Sequence, residues 1–150
     1  MKITKIGFEE CNTLIKLYPH FESLCKKLDE VIYKIGVSFS NNVDYSMEIY
    51  DEIIDLMFKK QRIINIKVAL DSCVEKLKDK EKILFRLCIE YHSLSNCELA
   101  EMFNVSVRTL YRQKERLNES LSIVLNKSEN KDLFINFLNE KRWIDSKEYK

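Results

Sequence analysis

From Val37 to Lys150 the chain contains neither glycine nor proline. A sheet protein needs turn residues at regular intervals, and this stretch lacks the two that serve best. The complete sequence holds only 2 Gly and 1 Pro, at Gly7, Gly36 and Pro19. An all-α fold follows. At 150 residues the chain is long enough to bury a real core in one domain or two small ones.

The apolar positions divide the chain into helical segments. Residues up to about Tyr18 are mildly amphipathic through Ile6, Phe8, Cys11, Leu14 and Ile15. Pro19 suits the first turn of a new helix, which Phe21, Leu24, Cys25, Leu28, Val31 or Ile32, and Ile35 continue at helical spacing. Gly36 is a natural stop, and Val37 to Val43 reads as a polar connector. A long pattern then begins near Asp44 and extends to about Leu77, with a break near Lys59–Arg62 as an open alternative. It carries two stripes: Met47, Tyr50, Ile54, Met57 and Ile64, and Ile63, Ile66, Leu70, Cys73 and Leu77. The second alternates spacings of three and four, as a coiled coil does. Residues 1–77 therefore read as a helical hairpin or coiled-coil-like region for oligomerisation or protein interaction. The acids Asp44, Glu48, Asp51, Glu52 and Asp55 suit a helix N-terminus.

Beyond it, Asp79 is placed to cap a helix from about Lys80 to Tyr91, with Ile83, Leu84, Leu87, Cys88 and Tyr91 inward. Ser95 to Leu117, SNCELAEMFNVSVRTLYRQKERL, then has the pattern of a helix-turn-helix. Ser95 and Glu98 form a capping box. Leu99, Ala100 and Phe103 make one apolar face, with Ala100 small enough for a close helix crossing. Asn104 stands where the chain must turn sharply, and Asn tolerates positive φ. Val105 plugs the corner and Ser106 caps a second helix. Leu110 and Leu117 point inward; Arg108, Thr109, Arg112, Gln113 and Arg116 point outward. That helix continues through Leu121 and Leu125. After a polar break at Ser128–Asn130 a last helix carries Leu133, Phe134, Phe137, Leu138 and Trp143 as a packing anchor. The segments are thus 1–77, a helix-turn-helix unit at 78–126, and a C-terminal helix and tail at 127–150.

Charge sharpens this reading. The chain has a formal net charge of +1. Residues 104–127 hold Arg108, Arg112, Lys114, Arg116 and Lys127 against Glu115 and Glu119. Positive charge is concentrated on the second helix, as a phosphate-facing surface requires, while the near-neutral total excludes a generically basic nucleic-acid coat.

Other chemistries find little support. The 5 Cys form no Cys-x-x-Cys pair, and only His20 and His92 could assist in binding a metal. Cys25, Cys73, Cys88 and Cys97 fall on or near apolar faces, as buried thiols in a reducing cytosol do. No Gly-rich phosphate loop, nucleophile motif or metal triad is present, so neither catalysis nor a cofactor is expected. Glu90, Tyr91 and His92 are neighbours on a helix and point in different directions; His92 reads as a helix-end residue meeting carbonyls. The apolar runs are short and broken by charge, which points to a cytoplasmic protein with neither signal peptide nor membrane span.

Residues 78–125, KDKEKILFRLCIEYHSLSNCELAEMFNVSVRTLYRQKERLNESLSIVL, resemble the DNA-binding region four of bacterial sigma factors. They look closer still to the small phage-type transcriptional activators of the RinA and ArpU group. In that pattern a charged turn, here Lys78–Lys82, opens a helix ending in an aromatic, here Tyr91. A Ser-containing link, the Leu-Ala unit and the Val-Ser-x-x-Thr-Leu-Tyr-Arg helix follow. The resemblance implies that Arg108, Thr109, Arg112, Gln113 and Arg116 face DNA. Asn104 stands where the pattern often has Gly, and residues 1–77 contain no core-promoter-melting region, which argues against a complete sigma factor.

The function expected is a sequence-specific transcriptional regulator. Arg108, Arg112 and Gln113 would probe base edges while Thr109, Lys114 and Arg116 hold phosphates. Its partners would be double-stranded DNA, RNA polymerase, and a second copy bound through residues 19–77. Two other readings remain: a phage DNA-packaging subunit of the small-terminase kind, ringed through its N-terminal helices, and a helical protein adaptor without DNA binding.

Overall fold

The computed structural model describes residues 2–40 and 47–140. Asp44, the end of the expected connector at Val43, and Trp143 lie outside the described residues. Among those described there are seven α-helices and no strand: α1 Phe8–Leu17, α2 Phe21–Ser40, α3 Met47–Val74, α4 Asp79–Glu90, α5 Asn96–Met102, α6 Val107–Lys127 and α7 Lys131–Asn139. Pro19 sits in a single 3-10 turn, Tyr18–His20, which joins α1 to α2.

Two boundaries differ from the sequence expectation, and one alternative it left open is decided. Gly36 does not stop α2, which passes through it to Ser40. A mid-helix glycine costs only ~1 kcal/mol relative to alanine, and the pairing of α2 with α3 outweighs that. The long helix has no break at Lys59–Arg62, running unbroken from Met47 to Val74 over about 42 Å. Asp79 is the first residue of α4, and Lys78 occupies the cap position without a side-chain bond.

One large core takes in Leu14, Phe21, Leu28, Ile63, Ile66 and Leu70, the second of the two stripes, together with Leu117, Leu121, Leu125, Phe134 and Phe137. The aromatic rings meet edge-on: Phe21 lies 5.9 Å from Phe137, and Tyr18 lies 5.4 Å from Phe85. That second contact corrects the face expected for α4. Phe85 is buried, whereas Ile83 is exposed. The tertiary partner, Tyr18, selects the face that a local pattern leaves open.

The N-terminal residues are bound in by two asparagines. The Ile3 N–H donates to Asn139 Oδ1 at 2.8 Å, and Asn139 Nδ2 donates back to the Ile3 carbonyl at 3.0 Å. Asn126 does the same for Ile6, at 3.1 and 2.7 Å, and Ser122 Oγ donates to the Ile6 carbonyl at 2.7 Å. These bonds satisfy backbone groups that helices α6 and α7 would otherwise bury unpaired.

Beyond this body, α2 and α3 project as a hairpin. Among the described residues α2 buries nothing after Leu28, and α3 buries only Leu56 before Ile63. Asp29 and Lys60 tie the two helices with an ion pair at 2.7 Å. The first of the two stripes is therefore largely open: Met47, Ile54 and Met57 are exposed. Among the described residues, no helix is long and apolar enough to cross a membrane.

Candidate nucleic-acid interface

Helices α4, α5 and α6 meet over a second, smaller core of Leu99, Ala100 and Leu110, closed by Leu84, Tyr91, Leu94, Phe103, Val105 and Val107. Each joint has a local cause. At the start of α5, Ser95 Oγ accepts the Glu98 N–H at 3.2 Å and its hydroxyl lies 3.1 Å from Glu98 Oε1. Half of the expected box thus forms: the Glu98 carboxylate meets the Ser95 hydroxyl rather than the Ser95 backbone N–H. Ala100 is 2% exposed at the crossing.

The turn is a Schellman motif centred on Asn104. The Val105 N–H donates to the Ala100 carbonyl at 3.0 Å, and the Asn104 N–H to the Glu101 carbonyl at 3.1 Å. Asn104 has φ 56°, the left-handed conformation that the sharp corner demands, and no other non-glycine residue described has positive φ. Val105 then packs back onto the small core. Ser106 caps α6, its Oγ accepting the Thr109 N–H at 3.1 Å, and the hydroxyls of Ser106 and Thr109 lie 2.9 Å apart.

This geometry disposes the predicted site residues unequally. At 100° per residue, Arg108, Arg112 and Arg116 fall within an arc of about 80°, opposite buried Leu110, Leu117 and Leu121. All three are exposed, as are Thr109 and Gln113, which flank that arc on one side. The remaining described arginines belong to the body and are paired: Arg62 with Glu140, and Arg86 with Glu75 at 3.2 Å. Among the described residues, none of the three on α6 is paired with a carboxylate. Glu119, also exposed, falls within the arc at its far end along the helix, and Glu115 borders it.

Lys114 does not join them. It is half-buried on the opposite side of α6, and its Nζ donates to Asn96 Oδ1 at 2.6 Å. Position supplies the reason: Lys114 follows Leu110 by four residues and so shares its inward side. Asn96 also donates from Nδ2 to the Tyr111 hydroxyl at 3.1 Å, so one side chain at the start of α5 holds two residues of α6. Sequence reasoning gave Asn96 and Tyr111 no part, and no motif would have found that contact.

Two further expectations are settled here. His92 Nδ1 lies 3.0 Å from the Ile89 carbonyl, as a helix-end residue should. Cys97 is exposed on α5, contrary to its expected apolar setting, while Cys11 is fully buried. Among the described residues no cluster of His, Cys, Asp and Glu is arranged to hold a metal ion. Comparison of the chain with known protein families, with curated proteins and with solved structures finds no match.

Proposed function

We propose that this protein is a sequence-specific DNA-binding transcriptional regulator that reads a major groove with the first half of α6. One observation carries the proposal. Arg108, Arg112 and Arg116 form an exposed arc without carboxylate partners, on a helix held by a capped N-terminus and a left-handed corner. A rigid helix with unsatisfied guanidinium groups on one face fits a groove lined by phosphates and base-edge acceptors. Arg108 and Arg112 stand nearest the N-terminal end, where recognition helices meet bases, and Arg116 is better placed for a phosphate.

The reading extends to a second copy. Met47, Ile54 and Met57 of α3 share an arc of about 80° that carries no charge, while Glu48, Asp51, Glu52 and Asp55 lie outside it. Such a stripe can meet its own two-fold mate without facing like charges. Two-fold pairing would present two recognition helices to DNA.

The test begins with selection of bound fragments from a random DNA pool. On the selected site, Arg108→Ala or Arg112→Ala should cost ~1–3 kcal/mol and relax the preference at one position. Arg116→Ala should weaken binding to all sequences alike and lower the salt slope by about one. If both Arg108→Ala and Arg112→Ala bind the selected site as tightly as the parent, α6 is not the reader. Absence of any salt-sensitive DNA binding would instead favour the adaptor reading.

A further inference from the structure

Behind the recognition face lies a cleft of about 760 Å³, enclosed by α1, the 3-10 turn, the end of α4, the start of α5 and the inner side of α6. Its size falls within the range of small-molecule sites. Lys114 and Asn118 of α6 line it, beside Tyr111 and Glu115 of the same helix. Lys114 and Asn118 follow Leu110 by four and eight residues, so helical drift carries them from the small core to the wall facing α1.

Asn118 is the only polar residue among those described that is buried in the body, at 4% exposure, and its Oδ1 has no hydrogen-bond partner. A buried carbonyl oxygen left unpaired is costly, and such a group in a native fold calls for a ligand or a solvent partner. Lys114 spends one donor on Asn96 and retains two more at the same wall. Across from them the rings of His20 and His92 meet edge to face with centroids 5.4 Å apart. Glu115 is the one acid in the lining, against Lys16 and Lys114. Phe8, Ile15 and Leu94 supply apolar wall.

We infer that this cleft binds a small organic anion with a flat apolar body and one O–H or N–H donor, the anion meeting Lys114 and the donor meeting Asn118 Oδ1. The two anchors stand one helical turn apart, with Cβ atoms about 5–6 Å from each other, which suits a single aromatic ring bearing its polar groups at opposite ends. Cys88, also in the lining, is no nucleophile here: burial raises its thiol pKa, though Lys114 opposes the shift.

The probe is 4-hydroxybenzoate, titrated into the full chain by calorimetry, with benzoate and 4-hydroxybenzyl alcohol as controls that each lack one anchor. A ligand of about ten heavy atoms should saturate one site in the millimolar range or tighter. Benzoate should bind at least ~5-fold more weakly and the neutral alcohol at least ~10-fold more weakly. Asn118→Leu separates a ligand-facing role from a structural one. If Oδ1 awaits a ligand, the leucine variant melts higher than the parent and no longer distinguishes 4-hydroxybenzoate from benzoate. If the amide supports the fold, that variant melts lower and the proposal fails. Lack of saturable binding by about 10 mM also overturns it. No DNA is present in these titrations, so their outcome is separate from that of the groove-reading experiments.

Discussion

Asn104 shows how one side chain decides a corner. Its φ of 56° is the conformation that disfavours most L-residues, and two backbone bonds lock it there. Glycine would adopt it without strain, so Asn104→Gly should leave stability unchanged or slightly higher. Asn104→Val should lower it by ~1–2 kcal/mol, read from urea unfolding. At the adjoining crossing, Ala100→Leu should cost ~1–3 kcal/mol by overpacking, with the selected DNA sequence unaltered. Cys11 makes a different demand. Burial first, and then nearby Glu10, push its thiol from an ordinary 9.0 to about 12. The folded protein therefore keeps a proton that the unfolded chain releases. The stability linked to it is complete below pH 9 and is lost as pH rises towards 12. Unfolding midpoints measured from pH 7 upward should fall above pH 9, and less steeply in Cys11→Val. In thiol labelling of the native protein at pH 7, exposed Cys97 should react first and Cys11 and Cys73 last.

At the scale of elements, α2 and α6 differ in what their sequences disclosed. A Cβ placed at Gly36 meets nothing within 4 Å, and the residue is helical. Gly36→Ala should therefore stabilise the protein by up to ~1 kcal/mol in thermal unfolding. At Gly36 the end-of-helix preference of glycine yields to the facing helix α3. The turn at 102–106 was legible because its signals are local: Ser95 with Glu98, Asn104, Val105 and Ser106 each act within a few residues. Helix α4 was legible only in part, since Tyr18, far away in sequence, selects Phe85 over Ile83. On α6 the outward arginines were readable from spacing alone. Lys114 adds to the charge of this helix, but four residues after Leu110 is an inward position. The burial of Asn118 was not legible, as nothing in its neighbours marks a polar residue for burial. The Ser106 cap offers a check on α6: Ser106→Ala should cost ~1 kcal/mol, read by urea unfolding.

Over the whole molecule α6 is the shared member. Its first half closes the small core with α5, and its second half inserts Leu117, Leu121 and Leu125 into the large one. The recognition face proposed for this helix would be held by the body rather than by the turn alone, its orientation relative to the projecting hairpin fixed by packing. That is what two-fold reading of DNA needs, since half-site spacing must match a rigid separation of two helices. The hairpin carries the surface proposed for the second copy. Met47 is 73% exposed and Phe58 65% on α3, and Tyr33 is 72% exposed on α2 one turn beyond the Asp29–Lys60 pair. Large apolar side chains this open on a projecting element fit an interaction surface. If a second copy covers it, the intact chain should sediment as a dimer at micromolar concentration. Ile54→Lys combined with Met57→Lys should then yield a folded monomer, because both positions are exposed within one chain and the substitutions open no cavity. The monomer should keep the Arg112-dependent preference on a half-site but lose at least ~10-fold in affinity for a selected two-fold site, through the loss of linked binding. A parent chain that sediments as a monomer sinks the two-fold proposal and leaves α6 a single reader. A larger closed ring that the lysine pair disperses would move the assignment to the DNA-packaging subunit, where the same helix meets DNA and the same stripe closes the ring.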